Sequence, residues 1–561
     1  MLFKRFNRLI TVLLLFVSLI CLLLLILSYH NSTLISLTHS KINQYFINPN
    51  NPYNFKLQYQ YFNTKKYLNQ NQSLLDIEIN KYRSNKIKDT FMHAWLPYRK
   101  QALGHDNLKP ISKKVKDEWG VTLVDSLDTL ILMNLTYEYQ LALSQISTIN
   151  YKKQSGQIIV FETIIRHLGG LISSYDLTQD TVLLKKAIEL ADVLLPAFDT
   201  PFGYPVHLLN LNNKNEKMWT NNLAEIASLQ LEFHRLSQLS KNPIYAKKAQ
   251  TIIDNLDKAN NKQHNNHGLF PLEWDLLKNK PITDAISFGA FGDSFYEYLL
   301  KRYLLTKKTE DQYKRLYTSA IDSFYKYVLI QRDETNNNLL LISDLYSLTH
   351  PRYEMDHFAC FVPGMLMLGS IELNRKADFS IAIELLLSCY QLYHSSPIGL
   401  APDKVKWEPS FKENIDYNQK VGKENNKQGN DKKKKGWSGS KNGRNEYFHL
   451  DPSYRLRPEF IESLYYAYYF TRNPIFQQWA WEVFENIEQH CKVEFGYSEL
   501  NNVFNLKFNN RTKFNDRMES FFLAETLKYF YLIFNIDLIN LNEYVFTTEA
   551  HPLKMDLKVF R

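Results

Sequence analysis

The chain has 561 residues, of which 45% are hydrophobic and 22% charged, so it can bury a large folded core. Its formal net charge is +9, but the stretch 419–444 supplies +7 of this, with nine basic residues against two acidic ones. Because the rest of the chain is nearly balanced, the charge does not favour a nucleic-acid-binding protein.

The N-terminus predicts a membrane anchor. Residues 1–8 carry Lys4, Arg5 and Arg8 and are assigned as a cytosolic tail. Residues 9–29 contain no charge and are long enough for a helix that crosses a bilayer. No small-residue cleavage pattern follows them, which favours a retained signal anchor over a cleaved signal peptide. The basic flank precedes the span, so we expect a single-pass type II protein whose remaining residues are lumenal.

The lumenal assignment gives meaning to four Asn-x-Ser/Thr sites, although such tripeptides are also common by chance. They begin at Asn31, Asn71, Asn134 and Asn510. Residues 30–81 are rich in Asn, Gln, Tyr and Lys with little periodicity, and are predicted to be a stem. In an oxidising lumen the four cysteines can form one bridge, but their spacing does not identify the pair.

From residue 82 to 553 the dominant pattern is helical. Phe161, Ile164, Ile165 and Leu168 form an apolar stripe at helical spacing. Ser294 and Glu297 have capping-box spacing before an apolar run. Convincing strands are scarce, so we predict an all-α domain of paired helices. The helical periodicity does not establish whether these helices close into a ring. Residues 413–446 are expected to form a flexible basic insertion, alternatively a docking arm, and residues 554–561 a C-terminal tail.

Acidic residues recur where these helices begin. Glu162 lies one helical turn before Arg166, an arrangement that would also suit a surface ion pair. Asp293 follows a glycine-containing loop, and Glu519 also opens a helix. Each of these two carboxylates could act only as an N-terminal cap.

A further acidic helix start lies at 455–463. Pro458 suits the first helical turn, which makes Arg457 the last loop residue and places Glu459 and Glu462 on one helix face. This group could equally be a solvated helix N-terminus. Near the C-terminus, the neighbouring Thr548 and Glu549 provide oxygen atoms of the kind that hard cations bind.

Several convergent acids suit glycoside hydrolysis. An inverting enzyme needs a protonated acid on the leaving oxygen and a carboxylate that activates water on the opposite face of the sugar. The two carboxyl groups of such an enzyme are roughly 6.5–9.5 Å apart, which leaves room for that water. The abundant tyrosines and phenylalanines could offer stacking faces for sugars, although most should be core residues.

Several motifs in order strengthen this interpretation. They are Phe91-Met-His-Ala-Trp95, Gly104-His-Asp-Asn-Leu-Lys-Pro-Ile-Ser112, Leu123-Val-Asp-Ser-Leu-Asp-Thr129, Phe161-Glu-Thr-Ile-Ile-Arg-His-Leu-Gly-Gly170, Gly292-Asp-Ser-Phe-Tyr-Glu297, Arg457-Pro-Glu459, Met518-Glu-Ser-Phe521 and Thr548-Glu-Ala-His-Pro552. Over about residues 82–553 the chain resembles the class I α-mannosidases, glycoside hydrolase family 47. The resemblance implies an (α/α)7 barrel with Ca²⁺ at its floor. It also implies removal of terminal α-1,2-linked mannose from high-mannose N-glycans, with inversion, at the Golgi or endoplasmic reticulum membrane.

The resemblance also implies roles for individual residues. Glu162 would be the general acid, acting through a water, and Glu459 the base, with Asp293 a competing or supporting carboxylate. Thr548 would bind Ca²⁺ directly, while Glu519 and Glu549 would orient waters or sugar hydroxyls. The remaining implied residues line the pocket or form a disulfide: Arg166, Glu225, His357, Arg457 and Glu462 in the pocket, and Cys360 with Cys389 in the bridge, which leaves Cys491 free.

Three departures from the family pattern affect the expected substrate range. Phe291 stands where endoplasmic-reticulum members have an arginine that narrows branch choice and Golgi members have an apolar residue, which favours broader trimming. Asp403 replaces a glutamate, and its shorter side chain is expected to loosen a contact at or behind a subsite. The basic insertion is atypical and lies close in sequence to Arg457. An alternative function is a glycan-binding quality-control factor with low turnover, but all three catalytic carboxylates are present.

Overall fold

A computed structural model describes residues 74–116, 119–153, 155–213, 217–263, 268–331, 340–407, 447–505 and 513–555. The predicted anchor, most of the stem, the basic insertion and the glycosylation candidates Asn31, Asn71 and Asn510 lie outside these ranges. Among the described residues, no helix is both long enough and apolar enough to cross a membrane. The first described helix begins at Leu74, so its first eight residues lie within the predicted stem.

Helices dominate the described chain. The α-helices are α1 Leu74–Ala102, α2 Val121–Asp125, α3 Leu127–Leu132, α4 Thr136–Thr148, α5 Val160–Glu162, α6 Gly169–Thr178, α7 Thr181–Leu194, α8 Leu223–Ala227, α9 Gln230–Ser240, α10 Ile244–Gln263, α11 Asp293–Leu305, α12 Asp311–Ser323, α13 Val362–Glu372, α14 Lys376–His394, α15 Glu459–Thr471, α16 Pro474–His490 and α17 Leu527–Phe534. The π-helical segments are Thr163–Leu168, Phe324–Val328 and Phe522–Thr526, and the 3₁₀ segments are Tyr151–Lys153, Leu195–Phe198 and His357–Phe361.

The strands are short and form small antiparallel sheets of two or three strands. They are β1 Asn107–Leu108, β2 Val115–Lys116, β3 Gln157–Ile159, β4 Leu208–Asn210, β5 Thr220–Asn222, β6 Glu273–Asp275, β7 Lys280–Pro281, β8 Leu329–Gln331, β9 Leu340–Ile342, β10 Leu345–Ser347, β11 His350–Pro351, β12 Glu354–Asp356, β13 Lys404–Trp407, β14 Tyr447–Asp451, β15 Lys492–Val493, β16 Gly496–Tyr497, β17 Tyr544–Phe546 and β18 Pro552–Lys554. The prediction of a helical domain is therefore confirmed, with short hairpins that the sequence pattern did not reveal.

The helices differ in how much of their surface is buried. The segment Val362–Ser370 of α13 is buried at every position, as expected for a helix surrounded by protein. By contrast, α7 buries one stripe formed by Leu183, Ala187, Leu190, Ala191 and Leu194. A helix with a single buried stripe covers the core from outside, so the burial of each helix distinguishes inner from outer helices.

The contacts between helices follow this division. Inner helices touch in the order α3, α6, α9, α11, α13, α15 and α17, and the π-helical segment before α17 contacts α2 and α3 again. Outer helices α4, α7, α10, α12, α14, α16 and α1 contact α3, α6, α9, α11, α13, α15 and α17, respectively. Because an outer helix usually returns the chain between successive inner helices, these inner helices begin at a common end of the domain.

The short strands deliver the chain to that end. β3 leads directly into α5, β5 into α8 and β12 into the 3₁₀ segment that starts at His357. The β17–β18 hairpin brings the C-terminal segment to the same helices, since β17 contacts α11 and β18 contacts α6. Glu162, Glu225 and His357 thus lie just after strand-to-helix junctions.

Candidate active site

Glu162 and Arg166 form one side of the site. The backbone from Thr163 to Leu168 is π-helical, a rare form that is often found at functional sites. Arg166 Nε lies 2.6 Å from Glu162 Oε2, and Arg166 Nη1 lies 2.7 Å from Glu549 Oε1. Burial opposes the charge on Arg166, but Glu162, Glu549 and Asp125 outweigh it and raise the pKa of the guanidinium. The Glu162 side chain is 42% exposed, so water can reach this carboxylate.

Glu459 forms a second part of the site at the start of α15. Its Oε2 lies 2.7 Å from His357 Nδ1. Glu459 is also close enough to Arg457 to favour the charged form of the guanidinium. Pro458 stands one residue before the helix instead of inside its first turn, while Arg457 and Glu459 lie where predicted. With only 8% exposure, Glu459 is a buried carboxylate held by a histidine and is not a solvated helix end.

Asp293 is the first residue of α11 and accepts a 2.8 Å hydrogen bond from the backbone N–H of Ser294. Burial, with Asp356, Glu297 and Glu459 nearby, raises its pKa to about 8. The predicted capping box is wrong: Ser294 lies inside the helix and bonds Ser228, and Glu297 pairs with Lys301. The buried charges of this helix outcompete the local capping pattern.

Glu462 lies one turn into α15, as predicted, beside Lys301 Nζ at 3.5 Å. Burial raises its pKa to about 8, with Lys301 opposing the shift and Glu297 and Glu459 adding to it. Burial likewise raises the pKa of Glu549 to about 8. Protein groups alone therefore do not compensate the negative charge of these carboxylates when they are ionised.

Thr548 lies in the turn of the β17–β18 hairpin. Its backbone N–H donates to the Tyr298 hydroxyl at 3.2 Å, and that hydroxyl donates to Glu232 Oε1 at 2.6 Å. The second Glu232 oxygen is buried without a hydrogen-bond partner in the described residues, and burial raises the pKa of Glu232 to about 7. The predicted cation ligand is thus linked through Tyr298 to a buried carboxylate that has one oxygen without a hydrogen-bond partner in the described residues.

A fully buried cluster of charged side chains holds the β17–β18 hairpin against the neighbouring helices. His551 Nδ1 lies 2.7 Å from Asp128 Oδ2, and its Nε2 lies 3.1 Å from Asp125 Oδ1. Lys528 Nζ lies 2.8 Å from Asp128 Oδ1 and donates to the Ala550 carbonyl at 2.7 Å. A Cβ added to Gly169 would stand 2.7 Å from the His551 ring, so only glycine admits this close approach.

The other predicted pocket residues are distributed around the same helix starts. Glu225 lies in α8, which contacts both α5 and α11, and its Oε2 is 2.5 Å from His207 Nδ1. Phe291 is 59% exposed with a left-handed φ of 71°, and its carbonyl accepts a 2.9 Å bond from the Ala224 N–H. Glu519 instead contacts Asn107 at 3.2 Å and Arg517 at 3.3 Å.

Asp403, whose short side chain was expected to loosen a contact at or behind a subsite, contacts two arginines. Its Oδ1 lies 2.6 Å from Arg457 Nε, and its Oδ2 lies 3.0 Å from Arg455 Nε. The guanidinium of Arg457 also stacks 3.8 Å from the centroid of the Phe358 ring. Two arginines therefore share one carboxylate, and the position of Arg457 is fixed from both sides.

The predicted disulfide and the predicted glycosylation site at Asn134 can be compared with the structure. Cys360 and Cys389 form a disulfide with a Cα–Cα distance of 6.0 Å, and Cys491 is free and buried, as the resemblance implied. Asn134 is exposed between α3 and α4, which is compatible with its predicted glycosylation. Residues 408–446, which include the basic insertion, lie between paired strands whose ends meet at Trp407 and Tyr447.

The sequence interpretation missed several site groups. Glu525 is 6% exposed, and burial, Glu549 and Glu459 raise its pKa well above the usual range. Asp356 is 9% exposed, and burial and Asp344 raise its pKa to about 7. Glu525 opens an apolar run much as Glu462 does, a signal that could have identified it. Asp356 is the last residue of the short strand β12 and had no such signal.

Comparison with known proteins identifies the family of this chain. The profile of glycosyl hydrolase family 47 matches residues 90–555. The chain belongs to glycosyl hydrolase family 47. This family 47 chain is 36% identical to mannosyl-oligosaccharide 1,2-alpha-mannosidase MNS1 of Arabidopsis thaliana over 85% of its length and 79% of that protein. It is 34% identical to the human enzyme IC over 84% of its length and 70% of that protein.

A solved structure gives the same result. The alpha-1,2-mannosidase from Trichoderma reesei superposes on the family 47 chain with a TM-score of 0.75 at 31% sequence identity. The match covers 85% of this chain and 99% of that one. The helix-rich fold is therefore that of a family 47 glycosidase, and the chain is a glycosidase.

Proposed function

We propose that this protein removes terminal α-1,2-linked mannose from high-mannose N-glycans with inversion at the anomeric carbon. The observation that carries the proposal is the separate support of two carboxylates, Glu162 by Arg166 and Glu459 by His357. Inverting hydrolysis needs an acid and a base with different surroundings, because one must donate a proton while the other accepts one. The relatives named as mannosidases supply the linkage and the sugar.

In this mechanism Glu162 donates a proton to the leaving oxygen through a water, which its 42% exposure allows. Glu459 takes a proton from the attacking water on the opposite face of the sugar. Asp293 has a pKa of about 8 and is mostly protonated at neutral pH, so it serves better as a hydrogen-bond donor than as a base. The raised pKa of Asp293 favours it as a supporting group and leaves Glu459 as the base.

The buried carboxylates fit a bound Ca²⁺. The described residues contain no group of three or more His, Cys, Asp or Glu side chains that could hold a metal by themselves. A cation would therefore use the oxygens of Thr548 together with waters held by carboxylates such as Glu525 and Glu549. Calcium accepts such mixed oxygen ligands, and its charge would offset their mutual repulsion. When bound, it would supply a Lewis-acid contact for hydroxyls of the terminal mannose.

The remaining parts of the proposal concern shape and location. The closed succession of inner-helix contacts and the matching outer helices support an (α/α)7 barrel with its active site at the common N-terminal end. The predicted signal anchor supports a type II membrane protein of the Golgi or endoplasmic reticulum with a lumenal catalytic domain. The glycan-binding alternative with low turnover is not favoured, because the catalytic carboxylates are all retained.

The test is to incubate the full-length chain with a defined high-mannose N-glycan in calcium buffer, and to follow the products by mass and NMR. We expect several mannoses to be released, with β-mannose appearing first. Glu162→Gln should lower kcat at least about 100-fold, the scale of lost acid–base catalysis. The control Glu384→Gln, in outer helix α14, should match the wild type. Binding without release would refute the proposal, and undiminished release by Glu162→Gln would refute the acid assignment.

A further inference from the structure

A line of buried polar groups extends outward behind Glu459. The Glu459 carboxylate contacts His357 Nδ1 at 2.7 Å, and His357 Nε2 contacts the hydroxyl of Tyr393 at 2.8 Å. His357 is 2% exposed and Tyr393 is 1% exposed, so protein, and not bulk water, surrounds both side chains. Tyr393 comes from outer helix α14, although it reaches a residue of the active site. Tyr393 was not among the site residues predicted from the sequence.

The direction of the two hydrogen bonds follows from chemistry. Burial, with Glu459 nearby, raises the pKa of Tyr393 far above its usual value, so its hydroxyl keeps its proton and donates to His357 Nε2. A neutral imidazole whose Nε2 accepts a hydrogen bond carries its hydrogen on Nδ1. That Nδ1–H then donates to Glu459 Oε2. The tyrosine thus favours the histidine tautomer that donates a hydrogen bond to Glu459.

Covalent and packing contacts hold this arrangement in place. The Cys360–Cys389 disulfide joins the 3₁₀ segment that begins at His357 to α14, four residues before Tyr393. The Tyr393 ring also packs on Phe460, the residue after Glu459, with ring centroids 4.6 Å apart. Because its ring is fixed from two sides, Tyr393 can orient His357 without moving itself.

We propose that Tyr393 is a positioning residue that acts through His357, so that the His357 Nδ1–H donates to Glu459 and keeps its carboxylate correctly aimed. The inference rests on the proposed role of Glu459 as the base. Arg457 also faces Glu459 and favours its charge, while Asp293, Glu462 and Glu525 share its surroundings and oppose that charge. Tyr393 therefore matters because the charges around Glu459 are mixed.

The kinetic test uses Tyr393→Phe, which removes the hydroxyl and keeps the packed ring. We expect kcat to fall roughly 10- to 100-fold, the range found when an orienting partner is lost, with KM nearly unchanged. The pH profile of kcat/KM should also change, because Glu459 loses the donor that Tyr393 orients. The matched control is Tyr317→Phe in outer helix α12. Tyr317 is fully buried, and its hydroxyl has no hydrogen-bond partner in the described residues.

A spectroscopic test needs no turnover. In the ¹⁵N spectrum of histidine-labelled full-length protein, the signal that His357→Gln deletes identifies His357. We expect hydrogen on Nδ1 in the wild type and in Tyr317→Phe, and a changed state in Tyr393→Phe. Hydrogen on Nε2 in the wild type would overturn the inference, as would mannose release and a pH profile unchanged in Tyr393→Phe. If the wild type releases no mannose, the proposed function fails, and the His357 tautomer still decides the inference.

Discussion

The buried cluster around His551 predicts a specific dependence of stability on pH. His551 is fully buried between Asp125 and Asp128. Burial disfavours its charged form, but Asp128 and Asp125 outweigh this and raise its pKa from 6.5 to about 9. Each unit of pKa shift corresponds to about 1.4 kcal/mol, so the charged histidine contributes about 3 kcal/mol to folding.

The sign of the effect follows from the raised pKa. The unfolded chain loses this proton near pH 6.5, whereas the folded chain keeps it up to about pH 9. The stabilisation is therefore complete below about pH 6.5 and is lost as the pH rises through about 9. Replacing His551 by Gln removes a group that binds the proton more tightly in the folded state, so the variant should lack this loss.

The assay is urea unfolding of the wild type and His551→Gln at pH 6, 7.5 and 9.5, at a fixed calcium concentration. The difference in unfolding free energy should shrink by about 3 kcal/mol from the lowest to the highest pH. The control His350→Gln, at an exposed histidine, should follow the wild type at each pH. A difference that stays constant with pH would show that His551 is not held protonated by Asp125 and Asp128.

Three further outcomes test the site and its frame. Replacing Cys360 and Cys389 together by Ser should lower the unfolding free energy by about 3–4 kcal/mol, because the bridge closes a loop with a sequence separation of 29 residues. An unchanged urea midpoint would contradict this prediction. Excess EDTA should stop mannose release and added Ca²⁺, but not Mg²⁺, should restore it; full activity in EDTA would remove calcium from the mechanism. Phe291→Arg should reduce the number of mannoses released from a defined glycan, while Phe291→Leu keeps it, and identical product sets would exclude Phe291 as the determinant of branch choice.

Local sequence patterns predicted the helices well because burial leaves a periodic trace. The apolar stripe that includes Ile164, Ile165 and Leu168 is buried, as predicted. Capping and boundary details were predicted less reliably. The capping box at Ser294 does not form, because Glu297 forms an ion pair with Lys301. The short hairpins were not predicted, since strands of two to five residues are too brief to show an alternating pattern.

The ordered motifs also named residues that the fold brings close together. Glu162, Asp293, Glu459 and Thr548 lie on elements that meet in the folded chain, and the disulfide pairs as the resemblance implied. Glu519 contacts Asn107 and Arg517, whereas Glu525, one and a half turns later, shares the surroundings of Glu459 and Glu549. The π-helical segment that contains Glu525 changes the angular spacing of its residues, so an α-helical pattern does not predict where its side chains lie.

The sequence by itself determined the helical class and the family, because these depend on local periodicity and ordered motifs. Only the tertiary structure decided that Glu459 contacts His357, that His551 lies between Asp125 and Asp128, and that Tyr393 reaches the site from an outer helix. These contacts join residues that are distant in sequence, and their energies depend on burial and neighbouring charge. No local pattern of residues records either quantity.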